Sequence, residues 1–220
     1  MSLWIKICAN TSLADAQLAV DAGADAVGFV FASSPRRVTA EQVAGIAPNL
    51  PVGIEKIGVF VDADFDSIAA TIEQCTLTGV QLHSEQAAEL SSQLRSRFGQ
   101  DLRILRVLHY GEDATRQLEA ARSDAAMDAV LIDSRTATAV GGTGIRFDWE
   151  AARTSVFDSG SGLRLVAAGG LTPANVAEAI ATLAPWGVDV VSGVEVSPGR
   201  KSAEKIRAFV ENARSAARLP

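Results

Sequence analysis

The chain has 220 residues, of which 48% are hydrophobic and 21% charged, so it can bury one sizeable core and fits a single domain. Its formal net charge is −6 and it has no dense stripe of Lys and Arg, which disfavours a nucleic-acid partner. No run of about 18 apolar residues and no basic leader are present, so we expect a cytoplasmic protein without membrane association. Cys8, Cys75, His83 and His109 lie too far apart for metal-ligand spacing, and no metal is implied.

Runs of consecutive apolar residues recur along the chain, often after a Gly or Asp. Such runs are typical of parallel strands that are covered on both faces. In chain order they predict eight strands, at residues 4–8, 25–31, 55–61, 78–83, 103–109, 128–133, 163–168 and 188–192.

Helix start signals lie between these strands. The predicted starts of the first, second, third, fourth and seventh helices are Ser12, Thr39 with Gln42, Asp64, Ser84 and Thr172. The sixth helix is less regular, the longest connection covers residues 134–147, and residues 201–218 indicate a closing amphipathic helix. Eight strands, each followed by a helix, predict an α/β fold: a (β/α)8 TIM barrel with residues 1–220 as one domain.

Two segments rich in small residues, Val166–Pro173 and Val190–Glu195, follow the last two predicted strands. Gly or Ser in such turns lets backbone N–H groups approach an anion closely, and Thr172 is expected to cap a helix that begins at Pro173 and points its positive end the same way. Either segment alone could be an ordinary strand-to-helix turn. Because TIM barrels commonly bind phosphate after strands 7 and 8, the pair predicts a phosphate site. Its residues are Gly169, Gly170, Ser192 and Gly193.

Catalytic groups of a TIM barrel lie at the carboxyl ends of its strands. Cys8 follows strand 1 and Asp133 follows strand 6, so a thiol and a carboxylate are candidates for the base and acid of a proton transfer. The alternatives are inert packing for the Cys and a turn or cap role for the Asp. An ordinary thiol is only a few per cent ionised near neutral pH, so Cys8 needs an activating group that the sequence does not identify.

The order and spacing of short motifs resemble the phosphoribosylanthranilate isomerase family over nearly the whole chain. The motifs are Lys6-Ile7-Cys8, Gly23–Phe31 with Ser34-Pro35-Arg36, Gly58–Val61, Val80–His83, Leu131-Ile132-Asp133, Gly141-Gly142-Thr143-Gly144 with Phe147-Asp148-Trp149, Ala168–Pro173, and Val188–Val190 with Ser192–Glu195.

This resemblance implies an isomerase of tryptophan biosynthesis. The reaction would be the Amadori rearrangement of N-(5-phosphoribosyl)anthranilate to 1-(2-carboxyphenylamino)-1-deoxyribulose 5-phosphate. Asp133 would protonate the ribose ring oxygen, and Cys8, as thiolate, would remove the proton from C2. Since the substrate nitrogen serves as the electron sink, the resemblance implies no cofactor.

The resemblance also implies binding roles. Arg36 would pair with the anthranilate carboxylate, which a guanidinium can bind in bidentate fashion, whereas Arg37 is expected to be solvated. His83 and Asp189 are further substrate-binding candidates, although His83 could instead orient a neighbour and Asp189 could be a hydrogen-bonded strand residue. The Gly141–Gly144 segment would be a lid that orders over bound substrate, with a flexible connection as the alternative.

Two positions depart from the family pattern. Where the family commonly has Gly after the base Cys and after the strand-4 His, this chain has Ala9 and Ser84. Because a non-Gly residue disfavours positive φ, both changes bear on the geometry of the loops.

Two other functions stay open. An isomerase of histidine biosynthesis, or a dual-pathway enzyme, would resemble the chain in fold, but it calls for an Asp in place of Cys8. It also needs a second phosphate turn, and the Phe31–Ser34 turn has no glycine pair. A barrel that binds a phosphorylated metabolite without catalysis is permitted by the fold alone, although Cys8 and Asp133 together favour an enzyme. In each case the expected partner is a small phosphosugar, and the protein is predicted to be a monomer or a homodimer.

Overall fold

The computed structural model describes residues 3–84, 86–111, 113–133, 148–158, 160 and 162–218. Its centre is a closed barrel of parallel strands in which sequence neighbours pair and the first strand pairs with the eighth. The predicted (β/α)8 barrel is therefore confirmed. The strands are β1 (Trp4–Ile7), β2 (Ala26–Val30), β3 (Glu55–Val61), β4 (Gly79–His83), β5 (Arg103–His109), β6 (Ala129–Asp133), β7 (Leu165–Ala168) and β8 (Gly187–Val190).

Helices surround the barrel, and the sixth is short and continues as a π-helical turn over Arg153–Phe157. None of the helices in the described ranges has the length and apolar character needed to cross a membrane. The helices are α1 (Leu13–Asp21), α2 (Ala40–Ile46), α3 (Phe65–Cys75), α4 (Ala87–Phe98), α5 (Ala114–Arg122), α6 (Trp149–Ala152), α7 (Val176–Leu183) and α8 (Ala203–Ala216).

Local side-chain caps explain where the first three helices begin. Ser12 and Asp64 each accept a hydrogen bond from a backbone N–H in the first turn, and Thr39 with Gln42 forms a complete capping box. These three predicted starts are confirmed.

The fourth and seventh helices begin later than the sequence predicted. Thr172 does not cap a helix at Pro173: its N–H donates to Oδ1 of Asn175 at 2.7 Å, and α7 starts only after Asn175. Likewise, the Ser84 hydroxyl accepts from the N–H of Gln86 in the turn that precedes α4. Both predictions were wrong because each residue closes a local turn before its helix.

A short antiparallel hairpin, which the sequence did not predict, lies between β8 and α8. It consists of β9 (Glu195–Ser197) and β10 (Arg200–Lys201). The Gly199 carbonyl accepts a hydrogen bond from Thr11 Oγ1 at 2.7 Å, which ties the hairpin to the loop after β1. The hairpin is therefore held at the mouth of the barrel, beside the end of the first strand.

The barrel interior changes from apolar to polar along the strands. Its lower part is filled by one cluster of buried residues: Trp4, Ala26, Ile57, Leu105, Ala129, Leu131, Val166 and Ala168. Because alternate residues of a barrel strand face inward, Lys6 and Cys8 follow Trp4 on the inner face of β1. The inner face is therefore apolar at the amino ends of the strands and polar toward their carboxyl ends.

Candidate active site

Three predicted site residues, Cys8, His83 and Asp133, lie at the carboxyl ends of β1, β4 and β6. Cys8 and Asp133 are buried, with 3% and 2% of their surface exposed, and His83 is half-buried. All three occupy inward-facing positions of the alternating strand pattern. The structure therefore brings the candidate base, the candidate acid and a candidate binding residue to one end of the barrel.

Cys8 packs directly against Gly28, in space that a larger residue at position 28 would fill. A Cβ on Gly28 of β2 would lie 2.5 Å from Cys8 Sγ. The Cys8 N–H donates to the Val190 carbonyl at 2.9 Å, and the buried Asn10 amide donates to the carbonyls of Ile7 and Gly28. These bonds fix the backbone on both sides of the thiol. Gly28 stood in a family motif, but sequence reasoning gave it no role of its own.

A buried lysine, which sequence reasoning also missed, lies one inward position below Cys8. Lys6 Nζ donates to Asp189 Oδ1 at 2.6 Å and to Gln81 Oε1 at 2.9 Å, and its side chain is 0% exposed. Gln81 Nε2 in turn lies 2.9 Å from His83 Nε2. Asp189 is thus the ion-pair partner of Lys6, and its binding role stays a prediction. The one sequence signal was a charged residue in an otherwise apolar strand.

The charges around Cys8 shift its pKa in opposite directions. Burial raises the pKa of the Cys8 thiol, Lys6 lowers it by charge and hydrogen bonding, and the net result is above the ordinary value. For Lys6, burial alone would lower the pKa, but Asp189 and Cys8 together raise it. Lys6 is therefore an ammonium that stays charged beside the thiol, and its charge opposes the effect of burial on the pKa of Cys8.

A second charged cluster, defined by Arg36, Glu195 and Lys201, joins the loop after β2 to the hairpin. Arg36 Nε lies 2.9 and 3.1 Å from the two Glu195 carboxylate oxygens, and its Nη2 lies 2.7 Å from Oε2. Lys201 Nζ donates to Oε1 of the same carboxylate at 3.3 Å. Two basic side chains thus share one carboxylate; burial lowers the pKa of Lys201, and the charge of Glu195 opposes that effect. Sequence reasoning selected Arg36 but missed both partners, although Glu195 ends a quoted family motif.

Glu195→Gln should make the free energy of unfolding depend less on pH in the acid range. Burial alone would raise the pKa of Glu195, but its bonds to Arg36 and the charge of Lys201 hold it below the ordinary value of about 4.5. Ionised Glu195 therefore contributes stability above that value, and the contribution is lost as pH falls through the folded pKa. In urea unfolding, we expect the difference between wild type and variant to be largest near neutral pH and to shrink in acid.

Glu211→Gln, in the exposed part of α8, is the matched control, and its effect should be small throughout. A difference for Glu195→Gln that is constant from neutral pH into the acid range would contradict the ion-pair interpretation.

The two predicted phosphate turns contact each other. Gly169 and Gly170 have φ values of +81° and +65°, in the left-handed region that favours glycine. A Cβ on Gly193 would lie 1.9 Å from the carbonyl oxygen of Leu171. Exposed Ser192 begins the 3₁₀ turn that contains Gly193. The turn after β8 can thus pack against the turn after β7 only because residue 193 has no side chain, and this packing places the two turns side by side.

Gly193→Ala should weaken phosphate binding about 10- to 100-fold, because separating the turns removes charge-assisted hydrogen bonds worth about 1.5–3 kcal/mol. Titration calorimetry with inorganic phosphate and with the phosphosugar product would measure the change in Kd. Gly53→Ala is the control, since a Cβ there meets nothing within 4 Å. Unchanged phosphate affinity in a folded Gly193→Ala protein would remove these turns from the phosphate site.

The two departures from the family pattern differ in their backbone. Ala9 has φ +61°, so this position uses the left-handed region even without glycine, at a cost of about 1–2 kcal/mol. Among the described non-glycine residues, positive φ occurs also at Asp62, Thr76 and Ala184, which leaves Ser84 outside that region. Ser84 therefore carries no such strain.

One predicted feature cannot be compared with the structure. The predicted lid, Gly141–Gly144, lies within residues 134–147, outside the described residues. In the ranges that the structure describes, no group of three or more His, Cys, Asp or Glu side chains could hold a metal ion.

A comparison with protein families identifies the family to which this barrel belongs. The family model for N-(5'-phosphoribosyl)anthranilate (PRA) isomerase matches residues 5–212. The chain belongs to this family. It is accordingly an isomerase of tryptophan biosynthesis.

Individual relatives agree with the family match. Proteins named N-(5'-phosphoribosyl)anthranilate isomerase from Geobacter sp. (strain M21) and Citrifermentans bemidjiense are 45% and 43% identical, over 96% and 97% of this chain and 97% and 98% of theirs. The crystal structure of the Thermotoga maritima enzyme is 35% identical with a TM-score of 0.85, covering 97% of this chain and 99% of that one. A solved relative in complex with reduced 1-(o-carboxyphenylamino)-1-deoxyribulose 5-phosphate is 33% identical, with a TM-score of 0.81 and the same coverage.

Proposed function

We propose that this isomerase converts N-(5'-phosphoribosyl)anthranilate into 1-(2-carboxyphenylamino)-1-deoxyribulose 5-phosphate, with Asp133 as the general acid and Cys8 as the general base. The observation that carries the proposal is a buried thiol and a buried carboxylate at the strand ends of one barrel mouth. A relative that binds the reduced product supports the choice of substrate.

The two anionic ends of the substrate are bound by different parts of the mouth. The N–H groups of Gly169, Gly170, Ser192 and Gly193 receive the phosphate, as glycine turns after strands 7 and 8 commonly do in this fold. Arg36 receives the anthranilate carboxylate at the loop after β2. With both ends held, the ribose lies between the acid and the base.

The reaction begins with two proton transfers. Asp133 donates its proton to the ribose ring oxygen, the bond from C1 to that oxygen breaks, and the ring opens to an iminium. The positive nitrogen withdraws electrons from C2, whose proton passes to the Cys8 thiolate and leaves an enolamine. The enolamine becomes the ketone when C1 gains a proton and the C2 hydroxyl loses one, and proton exchange with solvent returns Asp133 and Cys8 to their starting forms. Because the electron sink is the substrate's own nitrogen, the protein has to supply only positioning and proton transfer.

The buried polar chain supports this chemistry. Lys6 offers a positive charge that favours the thiolate form of Cys8, and Asp189 keeps that ammonium charged. His83, whose Nε2 lies 2.9 Å from the Gln81 amide, is held at the mouth to contact the ribose.

Several features stay predictions from the sequence: the single domain of residues 1–220, the lid at Gly141–Gly144, the cytoplasmic location, and a monomer or homodimer. For the last, a Thermotoga maritima relative, 34% identical, is known as monomers generated from a dimeric enzyme.

Turnover of freshly generated N-(5'-phosphoribosyl)anthranilate, followed by the loss of its fluorescence and by chromatography of the product, tests the proposal. We expect rapid loss with wild type against slow decay without protein. A folded wild type without turnover would argue for the non-catalytic barrel. Turnover of the two-phosphate substrate of histidine biosynthesis would argue for the dual-pathway alternative.

A further inference from the structure

Glu195 occupies one edge of the Arg36 guanidinium. A guanidinium has five N–H donors in a plane, and Glu195 takes the edge formed by Nε and Nη2, at 2.7–3.1 Å. The opposite edge, formed by Nη1 and the outer hydrogen of Nη2, has the same fork geometry for a second carboxylate. The position of the Glu195 carboxylate therefore sets the orientation of that second edge.

Glu195 is itself held from the hairpin side. Its carboxylate accepts from Lys201 Nζ and from the Gly199 N–H, each at 3.3 Å, and its backbone carbonyl accepts from Lys205 Nζ at 2.8 Å. Its side chain is 4% exposed, against 13% for Arg36. Two groups besides Arg36 hold the carboxylate and a third holds the backbone of Glu195, so the position of Glu195 sets the position of the Arg36 guanidinium.

The same segment carries part of the phosphate site. Gly193, which packs on the Leu171 carbonyl, stands two residues before Glu195 in the chain. A 3₁₀ turn over Ser192–Val194 connects them with little freedom. The spacing between the phosphate turns and the free edge of Arg36 is therefore fixed by one short, rigid segment.

The charge of Glu195 also limits what the cluster attracts. Without it, the Arg36 guanidinium would have no carboxylate to fix its orientation and could bind small anions of many shapes. With it, Arg36 presents one planar fork that suits a carboxylate.

We propose that Glu195 is a positioning residue that makes the site selective for a carboxylate-bearing substrate, by fixing Arg36 at a set distance from the phosphate turns. The inference rests on the proposed function in two respects: it takes Arg36 as the group that receives the substrate carboxylate, and the turns after β7 and β8 as the phosphate site.

The test compares two substrates that differ only in that carboxylate: N-(5'-phosphoribosyl)anthranilate and the corresponding aniline derivative. The preference is the ratio of their kcat/KM values, measured for wild type, Glu195→Gln, Arg36→Gln and the double variant, with Glu211→Gln as control. We expect Glu195→Gln to reduce the preference about tenfold or more, mainly by raising KM for the anthranilate substrate, with a change of less than about threefold for the aniline substrate. Sulfate should inhibit this variant more strongly than wild type.

If Glu195 acts through Arg36, as proposed, the double variant should show the same preference as Arg36→Gln alone. Equal losses on both substrates would leave Glu195 a purely structural residue and overturn the inference. Wild type without preference would remove the role of Arg36, and wild type inactive on both substrates would overturn the proposed function as well. If Glu195→Gln does not fold, Glu195→Asp keeps the ion pair but withdraws the carboxylate by one methylene, and the same loss of preference is expected.

Discussion

Cys8→Ser and Asp133→Asn should each lower kcat/KM for N-(5'-phosphoribosyl)anthranilate by about 10²–10⁴-fold, the usual contribution of one positioned acid or base. A serine hydroxyl ionises too weakly to accept the C2 proton, and an amide does not donate a proton to the ring oxygen. Since both replacements keep the size of the side chain, the fold should be retained. Steady-state kinetics by fluorescence loss, with circular dichroism as a check on folding, would measure the effect.

The matched controls are Cys75→Ser and Asp101→Asn. Cys75 lies in α3, away from the mouth, with its Sγ 3.2 Å from the Ala40 carbonyl, and Asp101 is exposed. Both controls should keep wild-type kcat, although Cys75→Ser can lower stability because it buries a hydroxyl. Full activity in Cys8→Ser, or a loss of activity in Cys75→Ser equal to it, would assign the base to another group.

Lys6→Met should destabilise the protein by about 3–5 kcal/mol, because it leaves Asp189 charged, buried and without its ammonium partner. Lys6→Met combined with Asp189→Asn should recover much of that stability, since it removes both charges. The pKa of Lys6 is raised above 10.5, so its contribution to stability is complete at neutral pH and is lost only as pH rises through the folded pKa. Urea unfolding of the three proteins near neutral pH would measure the difference.

The double variant, Lys6→Met with Asp189→Asn, allows the effect of Lys6 on Cys8 to be measured apart from its effect on stability. In this variant the pKa of Cys8 should rise further, because the lost charge and hydrogen bond of Lys6 lower that pKa more than the lost charge of Asp189 raises it. In a Cys75→Ser background, the ultraviolet absorbance of the thiolate should therefore titrate at higher pH, and the pH profile of kcat/KM should move the same way. Lys56→Met, at an outward-facing position of β3, is the control. A double variant with the thiolate titration and pH profile of wild type would show that Lys6 is structural only.

The sequence by itself determined the barrel and the ends of its strands. Apolar runs and alternation are local properties, so the strands could be placed within about two residues, as in 163–168 against Leu165–Ala168. Once the strands were placed, the positions of Cys8 and Asp133 at the mouth followed, because all parallel strands end on one side. The glycines of the two predicted phosphate turns were also visible, since their φ and close packing tolerate few other residues.

The partners of these residues were decided only by the tertiary structure. Lys6 meets Asp189 because closing the barrel pairs β1 with β8 in a register that sets these two residues side by side. Arg36 meets Glu195 because a hairpin of only three and two residues, too short to leave a periodic pattern, brings the end of β8 to the loop after β2. Such contacts join residues 183 and 159 positions apart, so they depend on strand register and loop packing rather than on local spacing.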